Sequence, residues 1–199
     1  MTRMTKKVIE AVRRLRIAKP QELAKVGLSA TGLARLVAAG QIARIGRGLY
    51  SLPNADLGEK YSILVVAARV PGCVICLLSA LRVHELTTQN PSEVWIRIPF
   101  KARPPSLEYP PLRVIRATQP VFDAGVERKT INGIQVKVYG PAKTVADCFK
   151  FRSIIGQDVA VEALRDCWQQ RKATMEELWT YAKLNRVTKI MQPYLESLM

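Results

Sequence analysis

The chain has 199 residues, 48% of them hydrophobic and 24% charged. That is apolar enough for the core of one domain or two small ones, and it excludes wholesale disorder. No apolar run approaches the ~20 residues needed to cross a bilayer. With 31 Lys+Arg against 16 Asp+Glu, the net charge of +15 asks for an anionic partner, most commonly nucleic acid.

The start, "MTRMTKKVIEAVRRLRIAK", lacks the uninterrupted apolar stretch of a signal peptide, so a cytoplasmic protein with no membrane partner is expected. Val8, Ile9, Val12 and Leu15 recur at helical spacing and predict a first helix ending near Arg16. Pro20 suits the first position of a second helix, where its missing N–H costs nothing. Gly27 is a natural left-handed terminator, Ser29 a cap for a third helix, and Gly40 its close.

The third helix, roughly Ala30 to Ala39, divides its faces. Leu33, Leu36 and Val37 cluster on one side and are expected to meet the core, while Thr31, Arg35 and Ala38 point away. That outward face is small and polar with one long cation, a shape that enters a major groove, although a solvated face has the same pattern. "QIARIGRGLYSL" follows, two short apolar runs around Gly46-Arg47-Gly48. A type II′ hairpin with Gly46 and Arg47 as its central residues is expected, carrying Arg47 at the tip and Arg44 on the adjoining strand. Three helices and a hairpin are the order of a winged helix-turn-helix. Residues 1–53 hold 11 Lys/Arg and 2 Asp/Glu, a net of +9. Together these features predict DNA binding by the front domain, with cations reaching phosphates or a minor groove.

"SLPNADLGEK" reads as a linker over residues 54–60, leaving 61–199 as a second domain. Tyr61 to Val70 has helical spacing. Cys73 to Leu78 reads as a strand, then a short helix capped by Ser79. Glu93 to Ile98 alternates, with Val94, Ile96 and Ile98 opposite Trp95 and Arg97. Leu112 to Ile115 is a further strand, and Asn132-Gly133 between β-branched runs signals a hairpin. From Pro141 the pattern is helical, with a capping box at Thr174 and Glu177 and a kink at Pro193. The expected fold class is α+β: an N-terminal winged helix-turn-helix, then a larger mixed domain with a helical end.

Reactive side chains in this domain do not assemble into a reaction centre. Cys73-x-x-Cys76 lies in apolar sequence, and His84 is the one histidine, so core cysteines are expected rather than a metal site. Ser79 and His84, five apart on one helix, do not share a face. Asp123 with Glu127 and Lys129 resembles the D…E-x-K order of metal-dependent nucleases, but three intervening residues are too few to put acid and E-x-K on separate strands. No enzyme and no cofactor is expected. Arg97, Lys101, Arg103, Arg113 and Arg116, opposed only by Glu108, form a second basic cluster, either an accessory nucleic-acid or acidic-partner surface or a solvated rim.

"GQIARIGRGLY", "LLSALRVHELT", "EVWIRIP" and "GPAKTVADCFKFRSIIGQDVAVEALR" resemble the AbiE abortive-infection antitoxins (AbiEi-like proteins), from about residue 5 to the helices past 165. The segment Ala142 to Lys150 is the most specific part. The resemblance implies the antitoxin of a type IV toxin–antitoxin pair in phage defence, encoded beside a nucleotidyltransferase-like toxin. It implies a repressor of its own operon that binds double-stranded operator DNA with inverted repeats, and a second domain that counteracts the toxin. Carried over, the DNA contacts fall on Ser29, Thr31, Arg35, Arg44 and Arg47, and the second-domain motif on Lys143, Asp147, Lys150 and Arg152. Asp147 and Arg152 are candidates for a helix-holding pair. The alternative is a stand-alone transcription regulator with a ligand-sensing or dimerising second domain.

Overall fold

A computed structural model describes residues 3–53, 60–107, 109–132 and 134–198. Most of the expected linker (54–59), Glu108 of the basic cluster and Gly133 of the hairpin signal lie outside the described residues. The chain divides into two compact units, Met1–Arg69 with Thr130–Gln135, and Val70–Lys129 with Val136–Met199.

The first unit opens with α1 (Arg3–Leu15), α2 (Pro20–Lys25) and α3 (Ala30–Ala38). Arg16 turns left-handed at φ +61° to end α1, and Pro20 starts α2 without wasting a backbone donor. Gly27 (φ +88°) and Gly40 (φ +65°) take the left-handed positions that follow α2 and α3. Ser29 caps α3, its Oγ accepting from Gly32 N at 3.1 Å. The strands β1 (Ala43–Gly46) and β2 (Leu49–Ser51) pair antiparallel. Tyr50 also exchanges two backbone hydrogen bonds with Ala18, at 2.8 and 2.9 Å, which ties the hairpin to the α1–α2 connection. The core is Val8, Val12, Ala18, Leu23, Leu33 and Ile42, with Leu36 and Val37 packed against it.

One detail of the hairpin is corrected. Gly46 pairs with Leu49, so the two-residue turn is Arg47-Gly48 rather than Gly46-Arg47. The left-handed residue is Gly48 (φ +69°), at the second central position, which excludes type II′. A bulge between Arg44 and Gly46 shifts the register by one residue and moves the turn. Helix α4 (Tyr61–Arg69) packs on β1 and groups with this unit, so division by compactness differs at α4 from the division read from sequence.

A five-stranded sheet of order β5-β4-β3-β7-β6 comprises β3 (Val74–Ile75), β4 (Val94–Pro99), β5 (Leu112–Ala117), β6 (Val126–Ile131) and β7 (Ile134–Tyr139), and all of it but the β6 and β7 ends within Thr130–Gln135 falls in the second unit. The helices are α5 (Leu77–His84), α6 (Gln119–Asp123), α7 (Pro141–Lys150), α8 (Arg152–Ile155), α9 (Gln157–Gln169), α10 (Met175–Asn185) and α11 (Thr188–Glu196). Strand β4 lies between antiparallel β3 and parallel β5, so Val94 through Ile98 are buried on both faces. Helix α7 touches α5, α9 and α10, and every residue from Ala142 to Phe149 is buried. Thr174 and Glu177 form the expected capping box, and Pro193 stands inside α11.

The strand expected over Cys73 to Leu78 shrinks to Val74–Ile75. Cys76 N still donates to Trp95 O at 3.0 Å, but its own carbonyl already accepts from Ala80 N and begins α5. Ser79 is therefore inside the helix, not its cap, and its Oγ accepts from Trp95 N at 2.9 Å.

Candidate nucleic-acid interface

The first unit carries its cations outward. Lys6, Lys7, Arg13 and Arg14 are exposed on α1. On α3 the buried residue is Leu33, while Thr31, Ala34, Arg35 and Ala38 are exposed. Among Thr31, Ala34 and Ala38, Arg35 is the one long side chain on this exposed face, the form a groove-reading surface takes. Ser29 is exposed too, but its hydroxyl serves the helix by accepting from Gly32 N. On the hairpin, Arg44 is exposed opposite Tyr50, and Arg47 is exposed in the turn. All five residues proposed from sequence for DNA contact are thus at the surface of this unit.

The second-domain motif divides in two. Asp147 accepts from Arg97 Nη1 through both oxygens, at 3.1 and 3.0 Å, from Lys143 Nζ at 2.6 Å and from Asn185 Nδ2 at 2.9 Å. Lys143 also donates to Asn185 Oδ1 at 3.3 Å. All four side chains are buried. The spacing of four along α7 brings Lys143 to Asp147, whereas Arg97 arrives from β4 and Asn185 from the end of α10. Arg97 stacks over Tyr139 and Phe151, at 5.3 and 5.4 Å to the ring centres, and Lys143 over Tyr139 at 4.8 Å. Burial holds the Lys143 ammonium below its ordinary range, with Asp147 opposing that shift and Arg97 adding to it. Burial is the largest influence on Arg97 and disfavours its charge, but Asp147, Cys76 and Tyr139 together oppose it and hold the guanidinium above its ordinary range.

Two sequence expectations change here. Arg97 is not a member of a surface basic cluster; it is 1% exposed and paired, because β4 is central and its second face is covered. Lys101, Arg103, Arg113 and Arg116 remain exposed. Nor does Arg152 pair with Asp147: it donates to Phe149 O at 3.0 Å, one turn from the buried carboxylate. Lys150 is exposed and reaches Asn185 O at 3.4 Å. Asn185 was illegible as a partner, since nothing in its local sequence signals a contact 38 residues away.

The reactive residues have separate occupations. Lys129 Nζ lies 3.0 Å from His84 Nδ1 and can only donate, so Nδ1 accepts and Nε2–H donates to Tyr139 O at 2.6 Å. Ser79 and His84 therefore do not address one another. Asp123 ends α6 and accepts from Gln119 Nε2 at 2.7 Å, while Glu127 and Lys129 are on β6. Burial pushes the Cys73 and Cys76 thiols up to about 12, which keeps them protonated core groups.

With this geometry in hand, comparison with known proteins is informative. Residues 6–53, from α1 through the hairpin, match the family described as "Transcriptional regulator, AbiEi antitoxin". Over that stretch the front domain is similar to the AbiEi antitoxin family of transcriptional regulators. The family match ends just after β2 has closed the hairpin. Over a longer span, the fold is similar to that of the Rv2827c protein from Mycobacterium tuberculosis, with a TM-score of 0.58 and 15% identity, covering 92% of this chain and 72% of that one. No curated protein matches. Among the described residues, no helix is long and apolar enough to cross a membrane.

Proposed function

We propose that this AbiEi-type chain is the antitoxin of a type IV toxin–antitoxin pair and represses its own operon. Residues 1–53 form the DNA-binding module, and residues from 61 onward counteract a nucleotidyltransferase-like toxin. In this reading α3 enters the major groove of an inverted repeat, Arg35 reads a base edge, and Arg44 and Arg47 meet phosphate or the adjoining minor groove. Ser29 and Thr31 border the same helix start. The observation that carries the reading is the coincidence of the AbiEi match with a helix-turn-helix and wing whose Arg35, Arg44 and Arg47 are all exposed. No substrate turnover is needed for this role.

The test is a gel-shift titration on the chain's own upstream region and on random duplex, at two salt concentrations. Tight, sequence-selective binding that weakens with salt is expected. Weak binding that ignores sequence would overturn operator reading. Toxin neutralisation is tested separately, by co-expressing the neighbouring toxin with the full chain and with an Arg35→Ala, Arg47→Ala variant. Rescue by both places neutralisation in the second domain.

A further inference from the structure

The second unit has a cavity of about 220 Å³ lined by Arg97, Phe100, Arg116, Thr118, Lys150 and Phe151, among others. Pockets for drug-sized ligands run to ~300–1,000 Å³, so this one suits a compact group. Arg97 is the least exposed of its lining residues, at 1%. Its Nη1 is committed to Asp147, but Nε and Nη2 have no hydrogen-bond partner among the described residues. The rings of Tyr139 and Phe151 flank the guanidinium, at 5.3 and 5.4 Å to their centres.

Buried donors left unmade cost about 1–3 kcal/mol each, so native structures retain them where something else accepts. Charge points the same way. Arg97 and Lys143 share the one carboxylate of Asp147, and Lys150 and Arg116 add two further cations beside the cavity. Arg116 is fixed by Nη1 donating to Phe100 O and to Ala102 O. Thr118 precedes α6 but its side chain makes no capping bond. A small anion with several acceptor oxygens is complementary to this set: a guanidinium edge, an ammonium, a second guanidinium and a hydroxyl.

We propose that this cavity binds a phosphoryl group, free or as the phosphate of a nucleotide. Phe100, 63% exposed, offers a ring face on which a base stacks in the nucleotide case. The proposal gives the Ala142–Lys150 motif a physical reading: Lys143 and Asp147 set the charge and orientation of Arg97 from behind, and Lys150 contacts the ligand. It does not rest on operator binding.

The test is equilibrium dialysis of the full chain against labelled inorganic phosphate, and separately against AMP and ATP, at constant ionic strength in chloride. One saturable site is expected. Lys150→Met with Thr118→Val should weaken it at least tenfold while circular dichroism is unchanged, and Lys189→Met, on α11, should leave it intact. Arg97→Lys keeps a charge for Asp147 but removes Nε and Nη2, and should also abolish binding; if that variant misfolds, the Lys150, Thr118 pair decides. Tighter binding of AMP or ATP, lost in Phe100→Ala, identifies a nucleotide, and equal affinities identify free phosphate. Unsaturable uptake overturns the proposal, as does equal loss in Lys189→Met or displacement of phosphate by random duplex DNA.

Discussion

Replacing Asp147 by Asn tests whether the buried cluster acts as one charge-balanced unit. The substitution preserves the shape and one carbonyl oxygen, but it removes the only negative charge among the four cluster side chains. It also turns a donor towards Arg97 Nη1, which now lies 3.0 Å from Oδ2. Arg97 and Lys143, both buried, are left with no counter-ion in the cluster. Removing one partner of a buried pair costs about 3–5 kcal/mol, a large share of the ~5–15 kcal/mol that keeps a domain folded. Urea unfolding followed by circular dichroism reads the loss directly. With m near 1–3 kcal/mol/M, the midpoint should fall by roughly 1–5 M at unchanged slope. The double variant Asp147→Asn, Lys143→Met removes one stranded cation and should recover part of the loss, a coupling of about 0.5–3 kcal/mol. A single-variant loss under ~1 kcal/mol, or strictly additive effects, refutes the reasoning.

Three further outcomes are expected. Arg47→Ala should weaken binding to every duplex and reduce the slope of log K against log[salt] by about 0.9, whereas Arg35→Ala should cost about 1–3 kcal/mol on the operator only; equal losses on operator and random DNA would make Arg35 a backbone contact. Gly125→Ala should destabilise the second unit by roughly 2–4 kcal/mol in thermal unfolding. Gly125 is left-handed (φ +71°), and an added Cβ would come within 2.9 Å of both Lys143 Cβ and Tyr181 Oη; an unchanged Tm would show that both neighbours yield. Stability should decline as pH rises from 9 towards 12, because the Cys73 and Cys76 thiols ionise near 9.0 when unfolded but only near 12 when folded. Lys143, lowered in the fold, adds stability as pH rises towards 10.5 and partly offsets the decline. Urea midpoints at pH 8, 9.5 and 10.5 check this, and Cys73→Ala with Cys76→Ala should flatten the alkaline loss.

The front domain was largely legible from residue order because its determinants act within a turn or two. Pro20 excludes a backbone donor, Ser29 reaches Gly32 three residues on, and Gly27 and Gly40 occupy left-handed positions that other residues resist. The same reach made the Thr174–Glu177 box readable. The wing's glycines announced a turn, but only the strand register decided that Arg47-Gly48 makes it.

The fate of Arg97 depended wholly on tertiary structure. Its alternating strand pattern is that of a half-exposed edge, and an arginine there reads as solvent-facing. What buries it is the pairing of β4 between β3 and β5 and a carboxylate 50 residues away on α7. Lys143 and Asp147 could be paired from their spacing of four, but not Asn185 from α10, nor the cavity that Arg97 shares with Lys150. Caps and turns are local energies written in adjacent residues. Burial and charge balance are sums over neighbours that the chain acquires only on folding.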